Sequence, residues 1–290
     1  MVQWLGKNRE WTMPCVMALG TALLAGGATA AQQSPSAQKF VSPQTAQPVP
    51  GAHSPSQTAP KVEPAEDTAY KSFYDLQPNQ PVEQIRQGEA YLMKYPNSSY
   101  RELVYSRLAQ AYVTNQDFRR MEEDGTKALA LNPNDVDALA TLAWAMPHSY
   151  NPDDPQAAAR LQKAQDYAQR ALQILPTLTK PDGISAEDFE HIRSERLSEA
   201  HSGLGLVDFR RGQYAQAVPE FQQATKPANS PDPVDFFILG ISLEQLPRYE
   251  EAAAAYDQCG KVPGTFQTRC QAGVLQARKE MAAHPAAANP

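Results

Sequence analysis

His191 and His201 stand ten positions apart, a separation that brings two side chains near one face of a helix and raises the question of a metal pair. Two ligands without a third make a poor zinc site, so packing and surface roles account for them better. The stretches Asn132-Pro133-Asn134-Asp135-Val136-Asp137 and Asn151-Pro152-Asp153-Asp154-Pro155 are rich in oxygen ligands. Neither has the glycine and the distant glutamate of a calcium loop, which leaves turn chemistry. Gly203-Leu204-Gly205 lacks the context of a phosphate loop, and the chain has no Walker A loop, dinucleotide fingerprint or nucleophile elbow. No motif positions a pair of titratable groups, so no catalytic residue, metal or cofactor is expected. Asn97-Ser98-Ser99 fits a glycosylation acceptor and also a helix N-cap, of which the cap is favoured.

The elements that carry these residues are set by a repeat. Tyr214, Ala217, Phe221 and Ala224 reappear as Tyr249, Ala252, Tyr256 and Cys259, each displaced by 35 positions. Such a period marks stacked supersecondary units. Four helix pairs fit one template. Helix A carries a large apolar residue, a large-small pair and an aromatic; helix B carries an aromatic followed by small and large residues. The first pair supplies Tyr105, Leu108-Ala109 and Tyr112, then Phe118, Met121, Gly125 and Ala128. The second supplies Leu139, Leu142-Ala143 and Met146, then Ala164, Ala168 and Ala171, with nine extra residues between its halves. The third runs through His201, Leu204-Gly205 and Asp208 to the Tyr214 set, and the fourth through Phe236, Leu239-Gly240 and Leu243 to the Tyr249 set. Spacings of three, four and seven place each set on one helical face.

These residues resemble the tetratricopeptide repeat, a helix-turn-helix unit of about 34 residues with a proline after helix B. The resemblance implies an all-α, right-handed solenoid over 66–284. Small residues at Gly205 and Gly240 are expected to let helix A approach Ala217 and Ala252, with aromatics on the flanks. Residues 81–99 resemble helix B alone, so a half-unit is expected to open the array, and a terminal helix over about 265–282 to close it. The family's inner-face positions carry over to Leu103, Ser106, Gln110 and Val113, then Asp137, Ala140 and Trp144. They continue through Glu199, Ser202, Leu206 and Phe209 to Val234, Phe237, Ile241 and Glu244. These are largely apolar or acidic, which disfavours capture of a carboxylate-terminated peptide and favours an apolar or amphipathic segment of a protein partner; the alternative is a groove covered from within by the insertion, the loop after Pro176 or the linker.

The amino terminus bears on location. Lys7 and Arg9 precede an apolar run from Met13 to Ala25 and then Ala28-Thr29-Ala30, the order of a secretory signal with an A-x-A cleavage site. Residues 1–30 are read as a signal cut after Ala30, with retention as a membrane anchor as the alternative; an uncut segment alone would bring the chain to a membrane. Residues 31–65 form a linker rich in Pro, Gln, Ser and Ala with too little apolar mass to fold, and 285–290 form a tail. Cutting after Ala30 leaves 24 basic and 31 acidic residues, an acidic balance that argues against nucleic acid. It also leaves two cysteines, Cys259 and Cys270, on helices whose shared turn lies midway between them. Export and an even count favour a disulfide there. The expected function is an exported, periplasmic, non-enzymatic scaffold that binds a protein or peptide; the alternative is a membrane-anchored structural module of an envelope assembly, facing the periplasm.

Overall fold

The computed structural model describes residues 63–181, 183–226 and 232–284. The signal and its cleavage point, the linker up to residue 62 and the tail 285–290 lie outside the described residues. Among the described residues there are eleven α-helices and no strand: α1 (Pro64–Tyr74), α2 (Pro81–Lys94), α3 (Arg101–Thr114), α4 (Phe118–Leu131), α5 (Val136–His148), α6 (Ala157–Ile174), α7 (Ala186–Arg210), α8 (Tyr214–Ala224), α9 (Pro233–Gln245), α10 (Tyr249–Gly260) and α11 (Gln267–Ala283).

Local sequence explains where these helices start. Pro64, Pro81 and Pro233 open α1, α2 and α9, at the position where the missing N–H has no intrahelical partner to lose. Asp117, Asp135, Ser185 and Asp232 cap α4, α5, α7 and α9 by accepting main-chain N–H bonds in the first turn. Three of the turns between paired helices share one closure: Asp117 N donates to Tyr112 O, Gln213 N to Asp208 O and Arg248 N to Leu243 O. This six-to-one bond ends a helix while satisfying its carbonyls. In the third unit Gly212 supplies the left-handed backbone that the turn needs, at φ 74°.

Helices α3, α5, α7, α9 and α11 are the A helices, and α4, α6, α8 and α10 their B partners; each B helix also packs on the next A helix. Consecutive A helices touch one another from α3 to α11, while a cleft of about 590 Å³ opens between the B helices α4 and α6, lined by Leu129, Tyr167 and Ile174. A stack crowded along one row and spread along the other curves with the crowded row inside, so the A helices form the inner face. The architecture is an α-α solenoid of the tetratricopeptide kind.

Two expectations change. The segment read as a lone helix B is α2, and α1 precedes and packs on it, so a helix pair opens the array. Tyr70 of α1 stacks on Tyr100 at 4.1 Å and meets Tyr91 of α2 edge-on at 6.2 Å, contacts between side chains too far apart in sequence for a helical period to show. Helix A of the third unit is longer than the others: α7 runs for 25 residues from Ala186 to Arg210. Ser98 does not cap α3. Its Oγ accepts from Tyr100 N at 3.0 Å and lies 2.8 Å from the Tyr91 hydroxyl, forming a turn at the base of the aromatic cluster.

Candidate functional site

The seam that sets the inner face is tight. Leu108, Ala128, Leu204, Gly205, Ala217, Phe221, Ala224, Leu239, Gly240, Tyr249, Ala252 and Tyr256 are all buried, and Tyr214 is half-buried. The glycines meet aromatic rings rather than small residues. A Cβ on Gly205 would lie 3.0 Å from the Phe221 ring, and one on Gly240 2.5 Å from the Tyr256 ring. The ring from helix B lies against the backbone of helix A and fills the space that each glycine leaves. Gly273 of α11 faces the same Tyr256 ring at 2.8 Å, so that ring is held between two glycines. Gly203 does a different job: its Cβ position is 2.5 Å from Ala143 O, which lets the neighbouring A helices α5 and α7 touch backbone to backbone.

The inner-face positions divide into two groups. Val113, Trp144, Leu206 and Phe237 are at most 7% exposed. Val113 and Trp144 join the core cluster of the first units, Leu206 and Phe237 that of the last. Ser106, Ala140, Glu199 and Ser202 are buried too. Leu103, Gln110, Asp137, Phe209, Val234, Ile241 and Glu244 remain half-buried. Close packing of successive A helices explains the first group; in the second, Leu103, Phe209 and Ile241 pack partly on the core clusters and keep part of their surface exposed. Aromatic side chains recur along the face: Trp144 sits 4.0 Å from the His148 ring, Phe209 5.8 Å from Tyr214, and Phe237 5.6 Å from Phe266 of the α10–α11 turn.

Polar contacts also tie the A helices together. Arg196 of α7 is buried and donates through Nε to Asp137 of α5 at 2.5 Å and through Nη1 to Glu199 at 3.2 Å. Burial opposes its charge, but Glu199 and Asp137 beside it hold the guanidinium above its ordinary pKa. Ser202 of α7 donates to Asp235 of α9 at 2.6 Å. At the far end of the face, burial raises the Glu244 carboxyl to about 7, with Glu280 adding to the effect and the Tyr256 hydroxyl, donating at 3.2 Å, working against it. Asp135 is raised by burial and by Asp137. Arg196 was invisible to sequence reasoning, since its partner Asp137 lies 59 positions away.

The remaining chemical candidates have local roles. His191 lies 3.3 Å from Glu195 and His201 2.7 Å from Glu220, so the two histidines face different carboxylates. Among the described residues no group of His, Cys, Asp and Glu is arranged to hold a metal. Asn132 and Asn151 accept N–H bonds from Asn134 and Asp153 at 3.0 and 3.1 Å, which is turn chemistry. Cys259 and Cys270 form a disulfide with a Cα separation of 5.7 Å, joining α10 to α11.

No protein-family model matches the chain, and no curated protein does. Among solved structures the chain is similar to TTC0263, a thermophilic TPR protein of Thermus thermophilus, at 18% identity and a TM-score of 0.49, covering 72% of this chain and 99% of that one. It is also similar to the TPR domain of P58(IPK) at 16% identity and a TM-score of 0.32, covering 74% of this chain and 65% of that one. The helix pairing and packing described above identify the architecture on their own.

Proposed function

We propose that the protein is an exported, non-enzymatic scaffold or adaptor that binds a protein or peptide through the inner face of its A helices. The observation that carries the reading is the half-buried row of Leu103, Phe209, Val234 and Ile241 on the crowded side of the array. An inner row of apolar side chains left accessible beyond the helix seam is the kind of surface that receives an apolar or amphipathic segment. The buried members, Val113, Trp144, Leu206 and Phe237, form its floor and fix the shape that a partner meets. Residue pairs such as Asp137 with Arg196 serve to lock one A helix to the next, so that the floor is rigid. Two features support a periplasmic location in this reading: the signal-like order of the amino-terminal sequence, and the disulfide, a bond that persists in oxidising compartments.

A photo-crosslinking residue at Phe209 or Ile241, and for comparison at Gln173 on the outer row, tests the reading in envelope extract. Adducts with a discrete protein from the two inner positions and none from Gln173 support it. Adducts from Gln173 alone would place binding on the outer row and overturn it.

A further inference from the structure

We propose that the cleft between α4 and α6 is a binding site for a small amphiphilic carboxylate, a ligand with an apolar body and one anionic end. The site lies on the outer row, apart from the inner face, and its occupancy does not depend on what that face binds.

The floor of the cleft is apolar. Leu129 of α4 and Tyr167 and Ile174 of α6 line it, above buried Leu139 of α5. All three pack on the small core cluster of Leu139, Ala171, Leu175 and Ala200, yet each stays half-buried. The cluster therefore ends at an open apolar surface instead of closing on itself. Helices α4 and α6 both pack on α5, and the space left between them is about 590 Å³. Small-molecule sites span about 300–1,000 Å³, so a compact ligand suits this space better than a polypeptide.

The rim supplies the polar end. Asp166 and Arg170, one turn apart on α6, are the charged side chains that line the cleft among the described residues. Asp166 accepts from Gln162 Nε2 at 2.9 Å, one turn toward the start of the helix and away from Arg170. Arg170 bridges from α6 to the turn before α5, where its Nη2 and Nε donate to Asn134 Oδ1 at 2.7 and 3.3 Å. The guanidinium is thus held at the edge of the cleft by a neutral amide oxygen, which leaves its charge without a carboxylate to balance it. Its planar fork carries five donors, so the Nη1 edge remains for an incoming anion. Charge-assisted bonds from arginine to a carboxylate are among the strong ones, and they demand a planar acceptor. Asn134, Gln169 and Gln173 add amide groups to the same rim. An apolar floor beside this guanidinium selects an apolar body that carries a carboxylate; an amine or an alcohol of the same shape would leave Arg170 unanswered.

Calorimetric titration of the full chain with octanoate, 1-octanol and octylamine reads the preference. Octanoate should occupy one site and bind at least about tenfold more tightly than either analogue, the difference that a charge-assisted bond makes. Arg170→Gln, a change at an exposed side chain, should abolish that preference at unchanged helicity. Octanoate bearing a terminal diazirine should label α4 and α6, as mapped by mass spectrometry. Equal affinity for the three probes overturns the proposal, as does a preference that survives Arg170→Gln or labelling confined to Phe209 and Ile241. Capture of a peptide through its free carboxyl terminus without any binding of octanoate would also overturn it, by assigning the cleft to a polypeptide end. The inner-face reading is judged separately by its own crosslinks and stands or falls without this site.

Discussion

Gly240→Ala should destabilise the array even though it improves helix propensity. Exchanging glycine for alanine inside a helix favours the helix by about 1 kcal/mol. Against this, the new Cβ would lie 2.5 Å from Cε1 and 2.7 Å from Cδ1 and Cζ of Tyr256, well inside van der Waals contact. The ring must move by about 1 Å, and it has nowhere to go: it is 2% exposed and Gly273 confines its other side. Overpacking of this kind costs about 1–3 kcal/mol, and a ring confined on both sides puts it in the upper half of that range, so the net loss after the propensity gain is about 1–2 kcal/mol. Gly205→Ala provides the control. Its closest ring atoms are at 3.0 Å, and no second glycine among the described residues meets the Phe221 ring, so the penalty should be smaller and approach the propensity gain. Urea denaturation of the full chain, combined with hydrogen exchange of α9, α10 and α11, measures both. Tyr256→Leu should relieve part of the Gly240→Ala loss, so the double variant should be less damaged than the two losses added. The packing argument is refuted if Gly240→Ala is as stable as the parent, or if Gly205→Ala is the worse of the two.

Further outcomes follow from other contacts. Glu244 has a folded pKa raised to about 7 by burial, from an ordinary 4.5. Its contribution is therefore present at low pH and lost as pH rises from about 4.5 to 7, so Glu244→Gln should be stabilising by about 1–2 kcal/mol at pH 8, after allowance for partial exposure, and neutral at pH 4. Urea midpoints at the two pH values check this, and equal effects at both would contradict it. Replacing buried Arg196 with Met strands Asp137 and Glu199 and should cost about 3–5 kcal/mol, read as loss of exchange protection at the α5–α7 contact. Alkylation of denatured, unreduced protein should leave Cys259 and Cys270 unmodified, and reduction should loosen α11 by about 3 kcal/mol. Amino-terminal sequencing of exported protein should begin at Ala31; a start at Met1 would favour the anchored form.

The repeat was legible because close packing restricts residue type at fixed intervals. Ala217, Ala252, Phe221 and Tyr256 announce helix pairs, and the cysteine spacing about a turn announces the bridge. What stayed hidden depends on contacts with no period. Helix α1 is held by Tyr70 against Tyr91 and Tyr100, and the inner face is braced by Arg196 across 59 positions. Gly273 shows its purpose only once the Tyr256 ring is seen between it and Gly240. The inner-face residues were identified by position, but position gave no exposure. Packing among the A helices and their B partners buries Trp144 and Phe237 and leaves Phe209 and Ile241 half-buried, a division that depends on contacts between units rather than on position within one.

The central claim, that the inner face binds a protein partner, is tested most directly by measuring partner affinity for the parent and for a Phe209→Ser, Ile241→Ser variant whose thermal unfolding matches the parent's. The account predicts at least a tenfold loss of affinity, since each change removes about 1 kcal/mol or more of apolar contact at a recognition surface. Unchanged affinity in the folded variant would contradict it.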